Sequence, residues 1–501
     1  MQARPVALAA ALSTALIAAP AQAQSAAAPG DELQAMLAEV SPTRIEARIR
    51  RLAGFGTRHT LSDIGSDTRG IGAARRWITS ELSACAKAAG GRLQVEEQSF
   101  IEPAGKRVNQ PTELVNIVAT LPGRGASKGR TLVVSGHYDS RNSDVMDTLG
   151  EAPGANDDAS GTAVIMELAC VMAKRQFDAT IVFMAVPGEE QGLLGAAQWA
   201  REARVANVNV EAMITNDIVG SSRGDAGQHD PKRLRLFADG LDPLVRLLTA
   251  AHANRAPGEA DARAAAAMQA ELLPLLQAGG HEDLPTHQLG RHLKAAAEAA
   301  MPDFTVQLIQ RRDRYLRGGD HIPFLERGYA AVRISEPFEN FAHQHQNPRV
   351  ECPQADGFRQ PSSEGVKAVR GGLSLPCENG VVYGDLPEFV DFPYVADVAR
   401  ANLAGLATLA WAPAPVQGAR LDASGLTNDS TLEWTASDNP AVAGYRVVWR
   451  DTDAAAWQQF RDVGKATRVT LPVSKDNVVF GVQAVSTMGY ASLASYPLPK
   501  R

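Results

Sequence analysis

The sequence predicts an α/β domain built on a mainly parallel mixed sheet with flanking helices, followed by a smaller all-β sandwich. Three observations carry this. Short Val- and Ile-rich runs alternate with helical periods between Asp31 and Leu409. One of those runs, Ala179 to Val186, is apolar almost throughout, as a central strand covered on both faces is. Beyond Trp411-Ala-Pro-Ala-Pro415, a stiff stretch of the kind that joins domains, the helical period disappears and only short β runs remain.

The first segment combines Arg4, an apolar run from Val6 to Ala19 and the small-x-small site Ala21-Gln22-Ala23, which is the pattern of a secretory signal over residues 1–23. The run is shorter than the ~20 residues a bilayer requires, and no other stretch is long and apolar enough to span. The expected location is therefore secreted or periplasmic, where disulfides persist. From Asp31 to Gly90 the period is helical, as in Ala74, Trp77, Ile78 and Leu82. Strands follow at Leu93 to Phe100, Leu114 to Leu121 and Thr131 to Ser135, then a crossover helix at Gly161 to Lys174 and the strand Ala179 to Val186. Residues 241–300 are Ala, Leu and Glu rich and predict helices, with His252, His281, His287 and His292 as surface or packing residues. Thr305 to Gln310 and Tyr329 to Ile334 return to the sheet, and Tyr394 to Leu409 closes the domain as a helix. The predicted domain spans 24–412, and the sandwich, 416–501, has strands at Ser430 to Trp434, Gly444 to Arg450, Thr467 to Leu471 and Val478 to Ser486.

Composition limits the function. Hydrophobic residues make up 45% of the 501 and charged residues 21%, which is globular, and 56 acidic against 50 basic residues leave a net charge of −6 with no basic field for nucleic acid. Of the four cysteines, Cys85 and Cys170 fall in helical runs and are expected as buried thiols. Cys352 and Cys377 bracket an aperiodic Gly, Pro and Ser-containing stretch and are expected to pair.

Five polar clusters sit where strands end, which is where open α/β sheets place their sites. His137 and Asp139 follow the third strand, two residues apart on one face, so the carboxylate can orient the imidazole. Pro153-Gly-Ala-Asn-Asp157-Asp158-Ala-Ser-Gly161 opens the crossover helix; capping accounts for Asp158 or Ser160 but leaves Asp157 unexplained. Glu189 and Glu190 follow the apolar strand, and adjacent carboxylates diverge, so that one can bind a metal while the other carries protons. Thr215-Asn-Asp217 comes next, and then Gly319-Asp320-His321 with Phe341-Ala-His343-Gln-His345. Carboxylates mixed with imidazoles and without thiolates suit zinc in an open catalytic site.

In this order, His137-Tyr-Asp139, the Asp157 loop, Glu189-Glu190 and Asp217 resemble the M28 family of metallopeptidases, the bacterial leucyl-aminopeptidase-like enzymes, over roughly Asp31 to Leu409. The resemblance implies a zinc-peptidase fold with two zinc ions per chain and peptide substrates. It makes Asp157 the bridging ligand, His137 and Asp217 the partners on one ion, and Glu190 with a late histidine the partners on the other. It makes Glu189 the catalytic base, with Asp139 as the catalytic carboxylate behind His137, and it implies a cis peptide bond between Asp157 and Asp158. The late histidine departs from the family pattern, because Asn347 stands where an acid is usual; His343 keeps the offset to that position and is favoured over His345. His321 is expected behind the ligands or facing substrate.

Three functions are compatible with these residues. The leading one is an aminopeptidase. A glutaminyl-cyclase-like acyltransferase shares the wording His137-Tyr-Asp139-Ser140 and Asp320-His321-Ile-Pro-Phe-Leu325, while the Asn156 to Gly161 and Gly188 to Gly195 segments follow the peptidase. A non-catalytic binding ectodomain would be expected to lack ligands that are present here. The C-terminal module resembles a fibronectin type III domain, with Trp434 and Tyr445 as core aromatics, and could contact a surface or polysaccharide.

Overall fold

The computed structural model describes residues 22–23, 30–241, 273–351, 366–368 and 380–500. Eight strands form the main sheet: β1 (Gln94–Glu102), β2 (Thr112–Leu121), β3 (Thr131–His137), β4 (Thr180–Val186), β5 (Val210–Asn216), β6 (Arg233–Phe237), β7 (Thr305–Ile309) and β8 (Ala331–Ser335). Their spatial order is β1-β2-β4-β3-β5-β8-β6-β7. The centre, β4-β3-β5-β8, is parallel, and the β1-β2, β2-β4 and β8-β6 pairings are antiparallel. The sheet is thus mixed, with four parallel strands at its centre and the edge pair β6-β7 parallel as well.

That placement follows from composition. Every residue of β3 is buried, and so is β4 from Ile181 onward, because helices cover both faces. On one face lie the helices Pro42–Ala53, Gly70–Ala88, Ala159–Met172 and Phe392–Trp411, whose apolar residues form one continuous core with Val134, Phe183 and Ile214. On the other, Leu194–Val205 and Ile322–Leu325 pack Trp199 and Phe324 against Val133 and Met184. The crossover helix Ala159–Met172 approaches β3 so closely that a Cβ on Gly136 would meet Gly161 C at 2.5 Å. Two glycines therefore set the spacing that brings the helix N-terminus to the strand end.

One expectation about connectivity is overturned. Cys85 and Cys170 are joined, not free thiols: their helices pack side by side on one face of the sheet, with Cα atoms 5.0 Å apart. Cys352 and Cys377 lie outside the described residues, as does His252.

The C-terminal segment forms two small sheets. One holds Gln459–Gly464, Val442–Asp451 and Val478–Ser486, and the other Arg468–Leu471, Ser430–Glu433, Arg420–Asp422 and Leu498–Lys500. Trp434 and Tyr445 meet edge to face between them, ring centroids 5.6 Å apart, within a core that includes Val447, Phe480 and Val482. The Pro-containing stretch joins the two parts, and contacts also cross the boundary directly. Trp411 stacks between Phe177 at 5.0 Å and Tyr490 at 5.3 Å. Buried Arg450 pairs with buried Asp283 at 2.8 Å, and Tyr496 Oη donates to Ala278 O at 2.8 Å. No helix among the described residues is long and apolar enough to cross a membrane.

Candidate metal centre

The parallel strands β3, β4 and β5 end side by side, and each delivers one part of an acidic cluster. His137 is the last residue of β3, Glu189 and Glu190 open the short helix after β4, and Asp217 follows β5. Asp157 enters from the loop before the crossover helix. The backbone of that loop is held from three sides. Arg58, fully buried, donates to Pro153 O and Gly154 O; Asp385 accepts from Asn156 N at 2.6 Å and Asp157 N at 2.7 Å; and Asp158 Oδ1 caps the helix through Gly161 N at 2.9 Å. Asp158 Oδ2 also accepts from His137 N at 3.0 Å, so capping accounts for Asp158 while Asp157 is left to face the cluster. The peptide bond between them is cis.

Two triads of potential ligands share Asp157: His137, Asp157 and Asp217, and Asp157, Glu190 and His345. In the first, His137 Nε2 lies 3.1 Å from Asp157 Oδ1 and 4.0 Å from Asp217 Oδ1. In the second, His345 Nε2 lies 2.8 Å from Asp157 Oδ2 and 2.9 Å from Glu190 Oε1. His137 Nε2, Glu190 Oε1 and His345 Nε2 are all buried without a well-directed hydrogen bond. Buried polar atoms rarely go unmatched, and three that converge from imidazole and carboxylate fit divalent zinc in donor type and spacing.

His343, favoured on its offset, does not join. Its ring stacks on Phe389 with centroids 3.5 Å apart, and His345 takes the place in the cluster with a left-handed backbone, φ 50°. The turn between them rotates one imidazole out and the other in. His321 faces neither substrate nor cluster: it is fully buried, its Nε2 donates to Arg312 O at 2.8 Å, and burial lowers its pKa to about 4.

Supporting residues fix the two glutamates. Asp139, wholly buried, lies behind His137 with Oδ1 3.4 Å from Nδ1. Its carboxylate also accepts from Glu189 N at 3.3 Å and Glu190 N at 3.2 Å, so one side chain orients the imidazole and anchors the acidic turn. Glu190 is 5% exposed and bound by Arg141, whose Nε donates to Oε2 at 2.8 Å; Glu189 remains partly open. Burial, reinforced by Asp217, Glu190 and Asp320, raises the Glu189 pKa well above the carboxylate range, although His137 opposes it. Burial also disfavours charge on Asp157, but His345 and His137 more than compensate and hold its pKa well down.

Sequence reasoning missed Arg58, Asp385, Arg141 and Arg333, the last donating to Asp217 Oδ1 at 2.8 Å. Asp385 had no local signal, since it comes from a loop 228 residues away from Asp157. Arg141, adjoining the His137-Tyr-Asp139-Ser140 motif, could have been found by asking what balances so many carboxylates.

The profile of peptidase family M28 matches residues 116–267. A probable zinc metalloprotease of Leptosphaeria maculans is 45% identical over 94% of this chain and 98% of its own length. Another from Pyrenophora teres f. teres is 45% identical over 94% of this chain and 88% of its own, and one from Pyricularia oryzae is 44% identical over 95% and 86%. The solved structure of the Legionella pneumophila LapA aminopeptidase aligns with 76% of this chain and 75% of its own at 18% identity and a TM-score of 0.46. With such identity along nearly its whole length, the chain belongs to peptidase family M28 and is a zinc-dependent metallopeptidase.

Proposed function

We propose that the protein is a secreted aminopeptidase that holds two zinc ions and removes residues from free peptide N-termini. The observation that carries the reading is the pair of ligand triads sharing Asp157. His137 and Asp217 would complete one ion's protein ligands, and Glu190 and His345 the other's. Zinc bound there would supply Lewis acidity toward the scissile carbonyl and lower the pKa of water.

The remaining steps fall to the chain itself. Glu189, partly open beside the two triads, accepts the proton of the attacking water and returns it to the departing amine. Asp139 keeps the His137 ring and the Glu189-Glu190 turn in register. Charge favours the amino end. Asp139, Asp158, Glu189 and Asp320 surround the cluster in addition to the ligand carboxylates, while Arg141 and Arg333 are committed to Glu190 and to Asp217 and Asp313, and exposed Arg107 donates to Glu190 O at 2.8 Å. The excess of carboxylates attracts a substrate ammonium. The apolar segment before Ala23 and the Cys85–Cys170 bridge support export.

Digestion of a mixed peptide library by the zinc-loaded protein, followed by mass spectrometry, tests the reading. Stepwise loss from free N-termini, with N-acetylated peptides intact, is expected. Internal or C-terminal cleavage would overturn the aminopeptidase assignment, and pyroglutamate formation from N-terminal glutamine without peptide loss would replace it by the cyclase.

A further inference from the structure

The imidazoles of the two ligand triads are backed by opposite kinds of partner. His137 Nδ1 faces two acceptors, Asp139 O at 3.2 Å and Asp139 Oδ1 at 3.4 Å. A hydrogen on Nδ1 serves both and leaves the Nε2 lone pair toward Asp157 and Asp217, which is how metal-binding histidines are ordinarily held. His345 Nδ1 instead faces Arg141, whose Nη2 lies 2.6 Å away. A guanidinium has five N–H donors and no acceptor, so in this contact the imidazole must accept.

A neutral imidazole carries one hydrogen. With Nδ1 accepting, that hydrogen sits on Nε2, between Asp157 Oδ2 at 2.8 Å and Glu190 Oε1 at 2.9 Å. The atom that belongs to the triad is thus the one that cannot coordinate in this tautomer. The same guanidinium donates through Nε to Glu190 Oε2 at 2.8 Å, so it spans both ligands that this triad does not share with the other. Its side chain is 19% exposed and has room to shift, whereas that of Arg333, which pairs with Asp217 on the first triad, is wholly buried.

We propose that Arg141 is a positioning residue with two settings: it serves the Asp157, Glu190 and His345 triad as a resident cation, and it withdraws from His345 Nδ1, keeping Glu190, when a divalent ion enters. On withdrawal the ring gives up the hydrogen at Nε2 and carries one at Nδ1, so it stays neutral and its Nε2 lone pair is freed. Arg141 therefore competes with the ion at this triad alone, since His137 already has the required tautomer. The inference rests on the two-ion reading above, and the test separates the two.

Titration of the chelator-treated full chain with zinc, in competition with a chromophoric chelator, reads affinity rather than turnover. Arg141→Met keeps the length of the side chain and removes its charge and donors; it should bind one of the two ions about tenfold more tightly and leave the other unchanged. In a His345→Ala background the same substitution should not alter the remaining ion, and an effect that persists there would overturn the inference. Two ions whose affinities are unchanged or lowered by Arg141→Met would overturn it while leaving the two-ion reading in place, and a single ion in the unaltered chain would overturn both. Long-range proton–nitrogen NMR of the imidazoles, with the His345→Ala spectrum identifying the ring, needs no Arg141 variant. The His345 hydrogen should be on Nε2 before zinc and on Nδ1 after it, with that of His137 on Nδ1 throughout; a hydrogen on His345 Nδ1 before zinc, or none there after it, would overturn the two settings.

Discussion

Glu189 keeps part of its surface open to the cleft, whereas Glu190 is 5% exposed and committed to Arg141 and His345, so the two carboxylates should fail in different ways. Glu189→Gln preserves shape and removes basicity; it should retain zinc by elemental analysis and lose turnover by about two to four orders of magnitude. Glu190→Gln should lower the zinc content instead, since a neutral amide is a poor ligand. The reverse pattern would mean the roles are exchanged. His345→Ala should likewise lose zinc, while His343→Ala should keep it and give up only the Phe389 stacking, worth about 1 kcal/mol. Zinc loss from the His343 variant alone would restore the offset argument. The contrast shows what sequence reveals about single residues. His137, Asp157, Glu190 and Asp217 were legible through the ordered motifs that resemble peptidase family M28, in which His137, Glu190 and Asp217 sit at or just after strand ends. His345 was not, because it lies in an aperiodic loop whose left-handed φ of 50° decides which imidazole turns inward.

At the scale of elements, burial accounts for both the successes and the failures. β3 and β4 announce themselves because central parallel strands have no polar face, and the crossover helix because it is buried nearly all round. β6 was not expected, since its five residues include two arginines and its burial merely alternates. The Cys85–Cys170 bridge was illegible for another reason: it depends on two helices lying side by side, which is a property of the assembled layer. It closes a separation of 85 residues, for which chain-entropy estimates give about 4 to 5 kcal/mol. Cys85→Ser should therefore lower stability by about 2 to 5 kcal/mol in denaturant unfolding, and equal stability of the variant would mean the bridge does not form. Helix Pro285–Ala300 carries a pH dependence as well. Burial lowers the pKa of His287 and of His292 to about 4, with Arg291 beside the first and Arg130 beside the second adding to it. Below the ordinary value of 6.5 the unfolded chain binds protons that the folded one refuses, so this stability is complete above pH 6.5 and is lost as pH falls toward 4. Unfolding by urea at pH 7.5 and 5 should show the decrease, and His292→Gln should reduce it; an identical pH slope in the variant would assign the acid sensitivity elsewhere.

Across the whole molecule, the linker composition marks a domain boundary, and the packing around it indicates a shared interface. Pro413 and Pro415 stiffen the connection, but they follow Trp411, which is stacked between a residue of each part. Asp283 sits between Arg291 of the main domain and Arg450 of the sandwich, all three about 1% exposed at their side chains. Removing one partner of a buried ion pair generally costs about 3 to 5 kcal/mol, and since Arg291 would remain, Arg450→Met should cost about 2 to 4 kcal/mol. Truncation after Pro413 does more: it removes Arg450, Tyr490 and the Ala455 carbonyl together and uncovers Trp411 and the apolar face of helix Pro285–Ala300. The truncated chain should therefore unfold at a lower temperature than the intact one and lose activity through instability, even though every proposed ligand lies before residue 350. Calorimetry of the intact chain should show the sandwich and the main domain melting in one cooperative transition. Two separate transitions, the higher one unchanged by truncation, would mean that the interface contributes nothing and that the linker composition was the better guide.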